Sequence, residues 1–199
     1  MSLVSRSTHS VLPIGIETSW SDPAALTIGD PYLKNWLLDT GSLTERLQSQ
    51  CREFRVHVLC QRPVTPSLEE NHFLQATKVA NQAQAWQVRE VILYGDNQPW
   101  VFARSLLPQS LCDNELAGLG SQPLGKMLFN DPRFKRYPFQ ITCMNPAQSW
   151  LTKVDASSKA LSVDGLALWG RRSLFTVNSL TMSVAEVFLP QSPAYKNLR

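Results

Sequence analysis

The stretch AWQVREVIL, residues 85–93, alternates as a strand does: Gln87, Arg89, Val91 and Leu93 share one face, and Trp86, Val88, Glu90, Ile92 and Tyr94 share the other. A second apolar run, PWVFARSLLP (99–108), follows across Gly95, Asp96 and Asn97, whose turn chemistry between two strands predicts a hairpin. CREFRVHVLCQ (51–61) alternates at Phe54, Val56, Val58 and Cys60 and predicts another strand. ALWGRRSLFTVNSLTMSVAEVFLP (167–190) predicts two more, joined near Asn178 and Ser179, and FQITCM (139–144) a short one.

Elsewhere the period is helical. DPYLKNWLLDTGSLTERLQSQ (30–50) predicts two short helices broken at Thr40 and Gly41. The first buries Leu33, Trp36 and Leu37; Ser42 with Glu45 three residues on predicts a capping box for the second. SLCDNELAGLGSQPLGKMLF (110–129) predicts helix, glycine-rich turn and helix, with Pro123 in the second helix's first turn. RPVTPSLEENH (62–72), with two prolines and no period, is expected as a loop. NPAQSWLTKVDASSKALSVDG (145–165) is polar and aperiodic, the mark of an insertion. Residues 1–20 are expected as a weakly ordered arm, leaving 21–195 as one domain. Strands follow one another as hairpins rather than alternating with helices, which predicts an α+β domain: a single antiparallel sheet flanked by helices.

Composition narrows the function classes. The chain is 43% hydrophobic and 18% charged, with six tryptophans and eight phenylalanines, so it supports a real core. A net charge of +3 is a mild bias towards anionic partners and lacks the dense basic stripe of a nucleic-acid binder. The densest basic-aromatic segment, RFKRYPF (133–139), reads as a solvated strand edge or loop. No segment approaches the roughly 20 apolar residues of a membrane span. Cys51, Cys60, Cys112 and Cys143 form no C-x-x-C pair and read as reduced, mostly buried thiols of a cytoplasmic protein without a signal peptide.

Two motif-like features lead nowhere. His9, His57 and His72 share no ligand spacing, so no metal site is expected. GSQPLGK (120–126) fits a phosphate-loop pattern, but Met127 stands where that loop needs Ser or Thr, and the upstream segment is helical.

Charges inside apolar strands are more informative. Arg89 is one; Glu186, alternating with Val184 and Phe188, is the other. An inward charge costs several kcal/mol unless it finds a partner. The two either form a structural pair in the core or make a polar floor in an apolar pocket. In a pocket the arginine would hold a carboxylate and the acid would handle a proton or hydroxyl. Arg171 and Arg172 are adjacent on a strand, so only one can enter a given pocket.

NWLLDTGSLTERL (35–47), VREVILYGDNQPWVFARSLLP (88–108), QPLGKMLF (122–129), LWGRRS (168–173) and AEVFLPQSPAY (185–195) occur in the order, and with the residues, of one family. Together they resemble the chorismate pyruvate-lyases. The resemblance implies an antiparallel sheet with two helical flaps over an internal site that holds its product tightly. It implies conversion of chorismate to 4-hydroxybenzoate and pyruvate for ubiquinone biosynthesis, by a monomer, with no metal and no organic cofactor. It carries the ligand-gripping arginine onto Arg89, the acid facing the ring hydroxyl onto Glu186, and two backbone contacts from the flaps onto Leu43 and Leu124. Relatives can carry methionine at the position of Leu43. One of Arg171 and Arg172 is expected to assist with the enolpyruvyl carboxylate. The competing reading is a non-catalytic module of the same fold that senses small aromatic acids.

Overall fold

The computed structural model describes residues 12–77, 85–120, 122–145 and 166–198. Among them seven strands form one antiparallel sheet: β1 (Phe54–Val64), β2 (Trp86–Gly95), β3 (Gln98–Pro108), β4 (Lys135–Arg136), β5 (Gln140–Met144), β6 (Leu168–Val177) and β7 (Leu180–Phe188). Their order is β1-β2-β3-β7-β6-β4, and β5 also pairs with β6. Five helices accompany them: α1 (Pro31–Leu37), α2 (Leu43–Gln48), α3 (Leu68–Leu74), α4 (Gln109–Asp113) and α5 (Leu124–Asn130). The expected α+β class and the single antiparallel sheet are what the chain forms. The insertion expected at 145–165, beyond Asn145, and residues 1–11 of the arm lie outside the described residues. No described helix is long and apolar enough to cross a membrane.

The hairpins follow from their turn residues. Asp96 and Asn97 adopt φ of 48° and 63°, and Asn178 and Ser179 adopt 47° and 64°. Paired left-handed residues give the turn whose twist matches that of the strands. Gly95 is required for a different reason: a Cβ there would lie 2.1 Å from ring atoms of Trp100.

Helix starts differ from the expected pattern in places. Asp30 accepts from the Tyr32 amide with Pro31 at the first helical position of α1. Ser42 accepts from the Glu45 amide at 3.4 Å, but only this half of the expected capping box forms. A complete box opens α3 instead: Ser67 Oγ accepts from Glu70 N at 3.2 Å, and Ser67 N donates to Glu70 Oε2 at 2.8 Å. The segment expected as a loop at 62–72 is therefore the end of β1 followed by a helix. It shows no hydrophobic period because α3 buries only Leu74. Pro123 sits just ahead of α5 rather than within its first turn. The thiols are all free, but only Cys60 is buried; Cys51 and Cys112 are half-buried and Cys143 is exposed.

Both faces of the sheet are covered. Leu74 of α3 packs on one face with Cys60, Val88, Leu106 and Leu174. The pairs α1–α2 and α4–α5 lie over the other face as two flaps. They meet closely: a Cβ added to Gly125 of α5 would lie 2.8 Å from Thr44 Oγ1 of α2.

Candidate active site

Strand register assembles the site. Arg89 on β2 lies opposite Ser105 on β3, Ser105 opposite Val184 on β7, and Val184 opposite Ser173 on β6. Two residues along each strand, Val91, Ala103, Glu186 and Arg171 form a second row. Side chains two apart on a strand share a face, so both rows floor one cavity. Leu43 and Thr44 of α2 and Leu124, Gly125, Leu128 and Phe129 of α5 line it from the flaps, and Arg136 and Phe139 border it beside β6. The space between the lining atoms is ≈ 690 Å³, solvent at its mouth included.

Arg89 is 3% exposed. Its Nη1 donates to Gln61 Oε1 at 2.6 Å and its Nη2 to the Gln122 carbonyl at 3.2 Å. Both partners are neutral, and no carboxylate among the described residues forms an ion pair with it. Burial pushes its pKa below the usual arginine value. A buried cation satisfied only by neutral acceptors favours an anion arriving from the cavity.

Glu186 pairs with Arg171, not with Arg89: Arg171 Nε donates to Glu186 Oε2 at 2.7 Å. Arg171 Nη1 donates to the carbonyls of Trp36, Leu37 and Asp39 at 3.1, 3.3 and 2.8 Å. These contacts fix the Arg171 guanidinium beneath the first flap. Glu186 Oε1 takes no protein donor among the described residues. The core Arg89–Glu186 pair considered from the sequence does not form; the two line the same cavity with separate partners.

Both arginines of the WGRRS motif line the cavity, and each is paired with a carboxylate. Arg171 engages Glu186 through Nε and the carbonyls at the end of α1 and just beyond it through Nη1. Arg172 borders the cavity, but its guanidinium bonds Gln140 and Glu69 and lies 3.9 Å from the Phe73 ring centroid, towards α3. The reverse face carries its own charge cluster. Glu90, fully buried, accepts from Arg104 at 2.6 Å and from the amides of Ile14 and Gly15 at 2.7 and 2.8 Å.

The structure therefore brings Arg89, Glu186, Leu43 and Leu124 to one cavity, with Leu43 and Leu124 each the first residue of a flap helix. It adds residues that sequence pattern did not single out. RFKRYPF was expected to be solvated; Lys135 is exposed, but Arg136 is half-buried on the cavity wall with Phe139. Phe139, three residues on, was the available signal, since its ring lies 3.8 Å from the Arg136 guanidinium carbon.

An antiparallel sheet with two helical flaps over a cavity lined by buried arginines defines an α+β domain with an internal small-molecule cavity. Its relatives narrow that class. The family described as "Chorismate lyase" matches residues 16–199. A Pseudoalteromonas atlantica protein named "Probable chorismate pyruvate-lyase" is 45% identical over 185 residues, 93% of each chain. An Aromatoleum aromaticum protein of the same name is 42% identical over 161 residues, 79% of this chain and 84% of that one. The chain belongs to the chorismate lyase family. Its fold also resembles the ligand-binding domain of a protein assigned to the GntR regulator family from Bordetella bronchiseptica. That match has a TM-score of 0.51 at 14% identity and covers 70% of this chain and 86% of that one.

Proposed function

We propose that this protein is a cytoplasmic, monomeric chorismate pyruvate-lyase that supplies 4-hydroxybenzoate for ubiquinone biosynthesis, without metal or organic cofactor. The observation that carries the reading is Arg89: buried, lining the cavity under the flaps, and bonded among the described residues only to neutral groups. Such a cation suits the ring carboxylate that chorismate and 4-hydroxybenzoate share.

Chorismate is a dianion with an enolpyruvyl ether at ring carbon 3 and a hydroxyl at carbon 4. Elimination breaks the bond from carbon 3 to the ether oxygen and removes the hydrogen on carbon 4. The ring becomes aromatic, and the leaving enolpyruvate ketonises to pyruvate. Aromatisation makes the reaction strongly downhill, so the site needs no strong nucleophile. Its tasks are to hold one conformer, neutralise carboxylates and direct one proton, which is positioning and electrostatic work.

In this reading Arg89 holds the ring carboxylate. Glu186 contacts the 4-hydroxyl through its unengaged oxygen, or relays the adjacent proton. Its partner Arg171 fixes the carboxylate in place. Leu43 and Leu124 contribute backbone N–H groups, since the first residues of a helix have no acceptor within it.

The test is to mix purified protein with chorismate and measure pyruvate and 4-hydroxybenzoate together. Equimolar appearance supports the lyase. Tight binding of 4-hydroxybenzoate with no turnover supports the second reading, a sensing module, which the likeness to the Bordetella bronchiseptica ligand-binding domain keeps in view.

A further inference from the structure

Four arginines border the cavity: Arg89, Arg136, Arg171 and Arg172. Arg171 is neutralised by Glu186, and Arg172 reaches Glu69 at 3.2 Å. Arg136 remains. Its Nε donates to Ser173 Oγ at 3.1 Å and its Nη1 to the Thr40 carbonyl at 3.3 Å, both neutral. Its guanidinium carbon lies 3.8 Å from the Phe139 ring centroid, and the Phe129 and Phe175 rings are 5.6 and 5.5 Å away. The acids nearest in effect are already engaged, Glu186 by Arg171 and Asp39 by Arg46 at 2.7 Å. Burial first, and then the charge of Arg171, push the Arg136 pKa down to about 10. Its Nη2 has no protein acceptor among the described residues.

Among the described residues the cavity thus carries two cations without a protein counter-ion, Arg89 on β2 and Arg136 on β4. In the strand order, β3, β7 and β6 lie between them. Glu186, on β7, stands in the middle of that row. A monoanion satisfies one of these cations, whereas a dianion with its carboxylates at separate ends satisfies both. We infer that Arg136 is the second carboxylate receptor of the site, binding the side-chain carboxylate that the substrate has and the aromatic product lacks.

This rests on the chorismate reading above and adds a division of labour to it. Arg89 grips the carboxylate retained in the product. Arg136 grips the one that leaves with pyruvate. Binding through Arg136 is therefore lost once the ether bond breaks. The bond from Arg136 to the Thr40 carbonyl, in the loop joining α1 to α2, lets an occupied Arg136 also hold the first flap over a bound substrate.

The experiment compares Arg136→Gln and Arg136→Lys with the unaltered protein, by chorismate kinetics and by direct titration with 4-hydroxybenzoate. Loss of a charge-assisted contact predicts that Arg136→Gln raises KM for chorismate roughly 10- to 100-fold. Affinity for 4-hydroxybenzoate is expected to change less than about threefold, which also shows that the variant is folded. Arg136→Lys is expected to fall between the two. An unchanged chorismate KM overturns the proposal. So does an equal loss of chorismate and 4-hydroxybenzoate affinity, which would make Arg136 only a strut for the flap. If the unaltered protein released no pyruvate, the lyase reading would fail instead. The inference would then be read from chorismate Kd: selective weakening in Arg136→Gln supports it, and an unchanged Kd overturns it.

Discussion

Arg89 and Glu90 are neighbours on β2, both buried, and their environments assign them opposite work. Arg89 faces the cavity with neutral partners, while Glu90 faces the reverse side and ties Arg104 and the amides of residues 14 and 15 to the sheet. Arg89→Ala is expected to weaken 4-hydroxybenzoate binding at least about 100-fold, as loss of a desolvated charged contact does, and to abolish turnover; titration and pyruvate release check both. Glu90→Gln is expected to leave the chorismate KM unchanged and to lower stability by about 3 kcal/mol, the low end for a broken buried ion pair because Arg104 keeps Glu70. Urea unfolding measures that loss. Glu186→Gln is expected to cut kcat at least about 100-fold while the protein still binds 4-hydroxybenzoate. Full turnover in that variant would remove Glu186 from the chemistry. Alternation flagged Arg89 but passed over Glu90, because β2 is buried on both faces and its pattern cannot separate a charge that meets a ligand from one that meets a neighbour.

At the scale of elements, the flaps decide how the cavity opens. Gly125 lets α5 approach Thr44 of α2 more closely than a side chain allows. Gly125→Val is expected to part the flaps, raising the rate at which bound 4-hydroxybenzoate dissociates while the sheet stays folded. Stopped-flow displacement and a melting curve test the two halves of that expectation, and an unchanged dissociation rate would mean that the flaps open elsewhere. The strands and hairpins were legible because alternation and turn residues are local signals. Helix α3 was not, although Ser67 and Glu70 announce its start, because a helix burying a single leucine produces no period. Glu70 serves twice there: Oε2 closes the capping box and Oε1 accepts from Arg104 Nε at 3.0 Å, so the helix start is also part of the buried charge cluster.

For the molecule as a whole, a net charge of +3 conceals a strongly asymmetric interior. One face of the sheet holds Glu70 and Glu90 sharing Arg104, and the other holds Arg89 and Arg136, bonded among the described residues only to neutral groups. That contrast depends on long-range register. Sequence pattern could nominate Arg89 and Glu186, and resemblance could add Leu43 and Leu124. Neither revealed that Glu186 is engaged by Arg171, or that Arg136 turns inward from a basic segment that looks solvated. The central claim is that Arg89 receives the ring carboxylate inside the cavity under the flaps, and the most direct measurement is a crystal structure of the protein with 4-hydroxybenzoate. The expected result is a ligand carboxylate within about 3 Å of the Arg89 guanidinium nitrogens, its hydroxyl directed to Glu186. A carboxylate bound to Arg136 instead, or a ligand lodged outside the flaps, would contradict the account.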